Sequence, residues 1–176
     1  MRLTLGLALA LTASLSLSTA WGQQFSSRVA MQEKSAATFY VPGEIVGYGS
    51  VELMVDTGSG YMTINEQTLE VLKRRGNARY VKQLRGVLAD GAEMVVPVYA
   101  IARMSIGGNC WLHDVEAAVF PGKTRQILGL SALRKASPFI FSVDPPALQL
   151  SGCDNAPLAE TMETPFRAAL TGPARD

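Results

Sequence analysis

A single histidine, His113, and two cysteines, Cys110 and Cys153, are the whole stock of imidazole and thiol in 176 residues. That scarcity removes much chemistry. A serine hydrolase needs a histidine base, and neither Ser59 nor Ser131 stands in a Gly-x-Ser-x-Gly setting. His113 falls in a turn-to-strand region and reads as a surface residue. A metallohydrolase would have no ligand set, since His-Glu-x-x-His is absent and two thiols without Cys-x-x-Cys make no zinc site. No metal and no cofactor is expected. Glycoside hydrolysis needs carboxylates paired by the fold, and the spacing of Glu44, Glu52 and Glu93 pairs none. Charge of one sign is lacking too: 16 basic residues face 15 acidic ones, for a net charge of +1. Such a balance offers no field for nucleic acid or an anionic membrane. The one basic run, Lys73-Arg74-Arg75 with Arg79, Lys82 and Arg85 beyond it, falls at the end of an expected helix. Cations suit the macrodipole there, so it reads as a solvated terminus rather than a binding patch.

Long apolar runs are confined to the start. Met1-Arg2 precedes an apolar stretch over residues 3–17, and small residues follow at Ser18, Ala20 and Gly22. Residues 1–22 read as a secretory signal peptide cleaved after Ala20 or Gly22. The alternative is an uncleaved anchor, for which the run is just short of the roughly 20 residues a span needs. No cysteine lies near the cleavage site, so a lipid anchor is not expected, and no stable membrane span remains after cleavage. The protein is expected to be exported, to a periplasm or beyond. Two cysteines fit that compartment. Pairing of Cys110 with Cys153 would tie a central strand to the last one and contribute about 3–4 kcal/mol in the chain-entropy model.

Length predicts one domain. Residues 23–36 are polar and unpatterned and read as a flexible leader. Thr38-Phe39-Tyr40-Val41 reads as a first strand stopped by Pro42-Gly43. Gly47-Tyr48-Gly49 lacks the third glycine of a dinucleotide fingerprint and precedes a strand, so it reads as a turn. Asn65 is a good N-cap for a helix over residues 66–75, with Leu69, Val71 and Leu72 as its apolar face and Gly76 as its stop. Two short extended runs, at 81–84 and 86–89, lead to Asp90-Gly91 and a long return over 93–106, a strong hairpin signal. Gly107-Gly108 turns the chain into strands at 110–112 and 115–120, ended by Pro121-Gly122. A closing hairpin runs over 139–143 and 147–150 across Pro145-Pro146. Residues 154–176 lose periodicity and read as a disordered tail.

The informative motif is Asp56-Thr57-Gly58-Ser59, reached through Val51-Glu52-Leu53-Met54-Val55: a carboxylate where a strand ends in a glycine turn. Strand-like Tyr61-Met62-Thr63-Ile64 follows. Later comes Ile127-Leu128-Gly129, then the short helical stretch Leu130-Ser131-Ala132-Leu133. Asp-Thr-Gly alone is a common turn sequence, but these elements in this order, over residues 38–150, resemble the single-domain, retropepsin-like aspartic proteases of clan AA, in their exported bacterial form. The resemblance implies an all-β fold, a small closed acid-protease barrel with one or two short helices in the domain 37–153. That fold is active as a symmetric dimer.

The implied chemistry needs two aspartates, and this chain supplies one in the right setting, so the implied partner is a second copy. Two carboxylates about 3 Å apart cannot both ionise, and sharing one proton lets them act as base and acid; the aspartic-protease dyad is the standard worked case. By resemblance Asp56, Thr57 and Gly58 are the catalytic turn. Asp56 activates a water, the Thr57 hydroxyl bonds across the dimer axis, and Gly58 lets the two loops approach. Ser59 is expected to orient the carboxylate and to adjoin substrate. Leu88, Ala89, Asp90 and Gly91 are the expected tip of a flap that clamps a peptide or protein substrate, with an ordinary surface hairpin as the alternative. Ile127, Leu128 and Gly129 are expected to pack behind the aspartate loop. Gly60 departs from the family, which more often has Ser, Asp or Ala there. The departure keeps open a peptide- or protein-binding module of the same fold that does not cut, or a monomeric envelope protein in which Asp56 is only structural.

Overall fold

The structure is a computed structural model and describes residues 25–154 apart from 88–90 and 92. The expected signal peptide, most of the expected tail, and Leu88, Ala89 and Asp90 lie outside the described residues. Among the described residues eleven strands, two short α-helices and a 3-10 turn at Ser35–Ala37 make an all-β fold. In chain order the strands are β1 (Ser27–Ala30), β2 (Gln32–Lys34), β3 (Thr38–Ile45), β4 (Gly49–Val55) and β5 (Met62–Asn65). After α1 (Glu66–Arg74) come β6 (Ala78–Val87), β7 (Glu93–Ile106), β8 (Cys110–Phe120) and β9 (Ile127–Leu128). The chain closes with α2 (Leu130–Leu133), β10 (Phe139–Val143) and β11 (Pro146–Leu150).

Eight strands form one sheet in the order β2-β3-β4-β9-β5-β8-β7-β6, and three form a second in the order β1-β11-β10. The larger sheet curls back on itself where Gly43, Glu44 and Ile45 of β3 pair with Ile106, Ser105 and Met104 of β7. It is therefore rolled rather than a strict closed barrel, with β2, β6 and the second sheet outside the roll. Side-chain alternation fills the interior: Val115, Ala117 and Val119 of β8 are buried beside Ile101, Ile64, Leu128 and Leu53. Val41 and Ile45 continue the core through Pro42 and Gly43, so β3 does not stop where the proline-glycine pair suggests. A β-carbon on Gly43 would lie 2.8 Å from the Ser105 carbonyl oxygen; glycine there permits the close strand crossing.

The helix over 66–74 starts as its cap predicts. The Asn65 Oδ1 accepts from the Thr68 N–H at 2.9 Å, and Gly76 follows with φ +69°. Leu72 and Thr68 turn into the core. Residues 81–87 lie in one strand that begins at Ala78, and residues 110–120 in another, where shorter pieces were expected.

The leader expectation for residues 23–36 is corrected from Ser27 onward. Ser27, Arg28, Val29 and Ala30 pair with Leu150, Gln149, Leu148 and Ala147 of β11. Val29 is buried there and packs against Gly107. A polar segment holding one large apolar residue gives little pattern, and its partner strand lies some 120 positions away. At the same end Cys110 and Cys153 form a disulfide closing a 43-residue separation. Asp154, expected to open the tail, pairs instead with Trp111 through two backbone hydrogen bonds. His113 is half exposed on β8, its Nε2 3.3 Å from Asp154 Oδ2.

Candidate active site

Asp56 follows the last residue of β4, and its backbone is pinned from behind. Val55 pairs in parallel with Leu128, and the Asp56 N–H donates to the Leu128 carbonyl at 3.2 Å. The chain then turns tightly: the Ser59 N–H returns to the Asp56 carbonyl at 3.2 Å. The Gly58 N–H donates to Asp56 Oδ1 at 2.9 Å. This last bond fixes the carboxylate, and the fit is close, since a β-carbon on Gly58 would lie 3.2 Å from the same oxygen.

The expectation that Ser59 orients the carboxylate is corrected. Its hydroxyl donates to the Tyr61 carbonyl at 2.8 Å, while its own carbonyl accepts the Leu130 N–H at 2.8 Å. Ser59 braces the turn rather than the acid. A side-chain hydroxyl beside a tight turn commonly finds a backbone partner close in sequence, and that local partner is the one taken here.

Gly129 is wedged against the same loop. A β-carbon there would meet the Tyr61 carbonyl oxygen at 2.1 Å and the Ser59 carbonyl oxygen at 2.9 Å. No side chain fits. Two residues on, Ser131 accepts from the Met62 N–H at 2.7 Å and donates to the Glu116 carbonyl at 2.6 Å. It thereby joins α2, β5 and β8 below the loop. Sequence reasoning missed Ser131, although a hydroxyl just inside an apolar helical turn is a signal worth following.

In front of Asp56 lies a cleft of about 550 Å³. Asp56, Gly58 and Gly60 form one side, Ala118, Phe120 and Ile127 an apolar wall, and Leu84 and Gly86 of β6 the other side. Gly60 has open space around its α-carbon. The hairpin of β6 and β7 thus borders the aspartate cleft. Of its four expected tip residues only Gly91 is described, with φ +83°, a left-handed conformation that suits glycine. Thr57 is exposed at the surface of the loop. The geometry offers a presented carboxylate, an apolar wall and a strand edge. No group of three or more metal-ligating side chains occurs among the described residues.

Comparison with known proteins agrees with this geometry. Residues 41–135, just over half of the chain, match the family described as gag-polyprotein putative aspartyl protease. Among solved structures the chain resembles a retropepsin-like aspartic protease from Rickettsia conorii, at 18% sequence identity and a TM-score of 0.51. The likeness covers 72% of this chain and 94% of that one. At such identity it is a likeness of fold. No curated protein matches.

Proposed function

The chain belongs to this family of aspartyl proteases, and from that premise we propose that it is an exported, homodimeric aspartic endopeptidase. The observation that carries the reading is the Asp56 carboxylate, oriented by the Gly58 N–H at the mouth of a cleft that β6 borders. One chain brings one such acid, and amide hydrolysis without metal or covalent intermediate needs a base and an acid together. In the proposed dimer each subunit contributes Asp56, and the pair holds one water and shares one proton. Thr57, exposed on the loop, is placed in this reading at the contact between the two turns. The substrate is an extended peptide laid along the hairpin edge as an added strand, with apolar side chains against Phe120 and Ile127. Export accords with the Cys110–Cys153 disulfide, and among the described residues no helix is long and apolar enough to cross a membrane.

The test is incubation with a diverse peptide library beside Asp56→Asn, with and without a pepstatin-type inhibitor. Hydrolysis by the native protein should fall by about 10²–10⁴-fold in the variant, while peptide binding persists. Activity should be greatest on the acidic side of neutrality, because one carboxyl of the pair must keep its proton. A rate that only climbs above neutrality would count against a dyad. Sedimentation at micromolar concentration with peptide present should find a dimer; a strict monomer cannot assemble the pair. The departure at Gly60 favours one rival, a peptide-binding module of the same fold. It predicts binding by native protein and Asp56→Asn alike, with hydrolysis by neither.

A further inference from the structure

A register shift in β6 has consequences for the cleft. Tyr80 pairs with Tyr99 of β7, but the next paired residue is Lys82, opposite Val98, because the ladder is irregular at Val81. Tyr99 and Val98 are neighbours on one strand and point to opposite faces. The bulge therefore turns Lys82 away from the side of Tyr80 and Tyr99. Bulges re-aim side chains in this way and cluster near active sites. The face that Lys82 reaches is that of the cleft, since Val98 pairs with Ala118 of β8, and Ala118 lines the cleft. Leu84, two residues on along β6, lines it as well.

On that face Lys82 meets two further elements. Its Nζ is 3.0 Å from Glu116 Oε2 of β8 and 5.4 Å from the ring centre of Tyr61. These neighbours, Tyr61 first and then Glu116, raise the ammonium above its ordinary pKa. Tyr61 is a firm anchor. Its carbonyl accepts from the Ser59 hydroxyl and occupies the space a β-carbon on Gly129 would need, and the next residue is bonded to Ser131. Glu116 is likewise fixed through its carbonyl by Ser131.

We propose that Lys82 is a positioning residue of the cleft: bound to Tyr61 and Glu116 together, it fastens β6 to the flank of the aspartate loop and sets where Leu84 lies. Its functional half rests on the reading of the cleft as a peptide site; its mechanical half does not. Lys82 reaches no reacting atom. Its effect is on how much of the hairpin is already in place when substrate arrives, so its loss weakens binding and leaves the chemical step alone. Tyr61 and Glu116 also line a second depression with Asp114, Arg134 and Lys135, so the same bridge divides the apolar cleft from a charged annex.

Two measurements decide it, with Lys82→Met, Lys82→Arg and, as a control at another exposed pair, Lys34→Met, which breaks the contact of Lys34 with Glu52. Exposed ion pairs add little to global stability, so the first readout is local: amide hydrogen exchange. Lys82→Met should speed exchange at residues 82–86, 94–96 and 98 by about five- to tenfold, with residues 62–65 unchanged. Lys82→Arg should restore protection and Lys34→Met should leave it intact. Unaltered exchange in Lys82→Met overturns the proposal whether or not the protein is a peptidase. The second readout uses the best-cleaved member of a fluorogenic peptide library. Lys82→Met should raise KM about five- to tenfold with kcat within about twofold; a fall in kcat at constant KM overturns the positioning role. Absence of any cleavage by native protein overturns the peptidase reading instead, and the exchange result still decides the fastening.

Discussion

The two sides of the cleft are built by different means. Behind Asp56 the chain is locked by backbone: the parallel step of β4 on β9, the Asp56 N–H on Leu128, the Leu130 N–H on Ser59, and Gly129 with no room for a β-carbon. Across the cleft, β6 is laddered by backbone to β7 of its own hairpin. Toward the flank of the aspartate loop it is held by an exposed side chain, Lys82 to Glu116, while Arg85 to Glu93 at 3.1 Å braces the hairpin internally. Buried backbone bonds cannot be exchanged for water without loss, whereas exposed ion pairs readily can. One side fixes the acid by backbone contacts; the other leans on a contact that water can replace. The proposed peptidase, which would need an aimed carboxylate and room for a peptide, fits that division.

The comparison breaks most sharply at Gly129. Gly129→Ala sets a β-carbon against backbone of the Ser59–Tyr61 turn, and backbone cannot rotate aside as a side chain would. The expected loss is about 3–5 kcal/mol, read as a lowered urea midpoint. A variant of native stability would mean that the loop is softer than described. Ser131→Ala is milder. It leaves the Met62 N–H and the Glu116 carbonyl without their hydroxyl partner, at about 1–3 kcal/mol by the same denaturation. It should also loosen Tyr61, so amide exchange is expected to rise on β6 through Lys82 as well as on β5. Rise on β5 alone would separate the two sides.

The locked side was far more legible in the sequence than the tied side. Val51-Glu52-Leu53-Met54-Val55 before Asp56, and Ile127-Leu128-Gly129 before Leu130, show strand, turn and helix by local pattern, and local pattern is what a backbone-built site depends on. The position of Asn65 as helix cap was legible for the same reason, its bond reaching only to Thr68. What escaped were choices made between distant residues. The Ser59 hydroxyl had several acceptors in reach of the imagination, and only the folded turn selects Tyr61. Lys82 looked like one more charge in a basic run because a bulge at Val81 has no signature of its own. The strand at Ser27–Ala30 read as leader, its partner being the far end of the chain. Asp90-Gly91 falls in sequence between β6 and β7, and Asp90 lies outside the described residues.

The smallest expected effect sits where the two sides meet. Gly60 follows the braced turn and lines the cleft, yet nothing lies within 4 Å of where its β-carbon would be. Its φ is not in the left-handed range that would require glycine. Gly58, two residues earlier, is unlike it in having the Asp56 carboxylate 3.2 Å from the added carbon. Gly60→Ala should therefore fold as well as the native chain. Reduced freedom of the unfolded state should add about 0.4–1 kcal/mol, seen as a raised thermal midpoint. Hydrolysis and peptide affinity should change less than about twofold, for the methyl points into open cleft rather than onto the acid. A lowered midpoint would mean that the aspartate loop needs a backbone freedom its resting shape does not use. Native stability with peptide affinity lost would place substrate backbone directly over Gly60, extending the locked side one residue further toward the tied one.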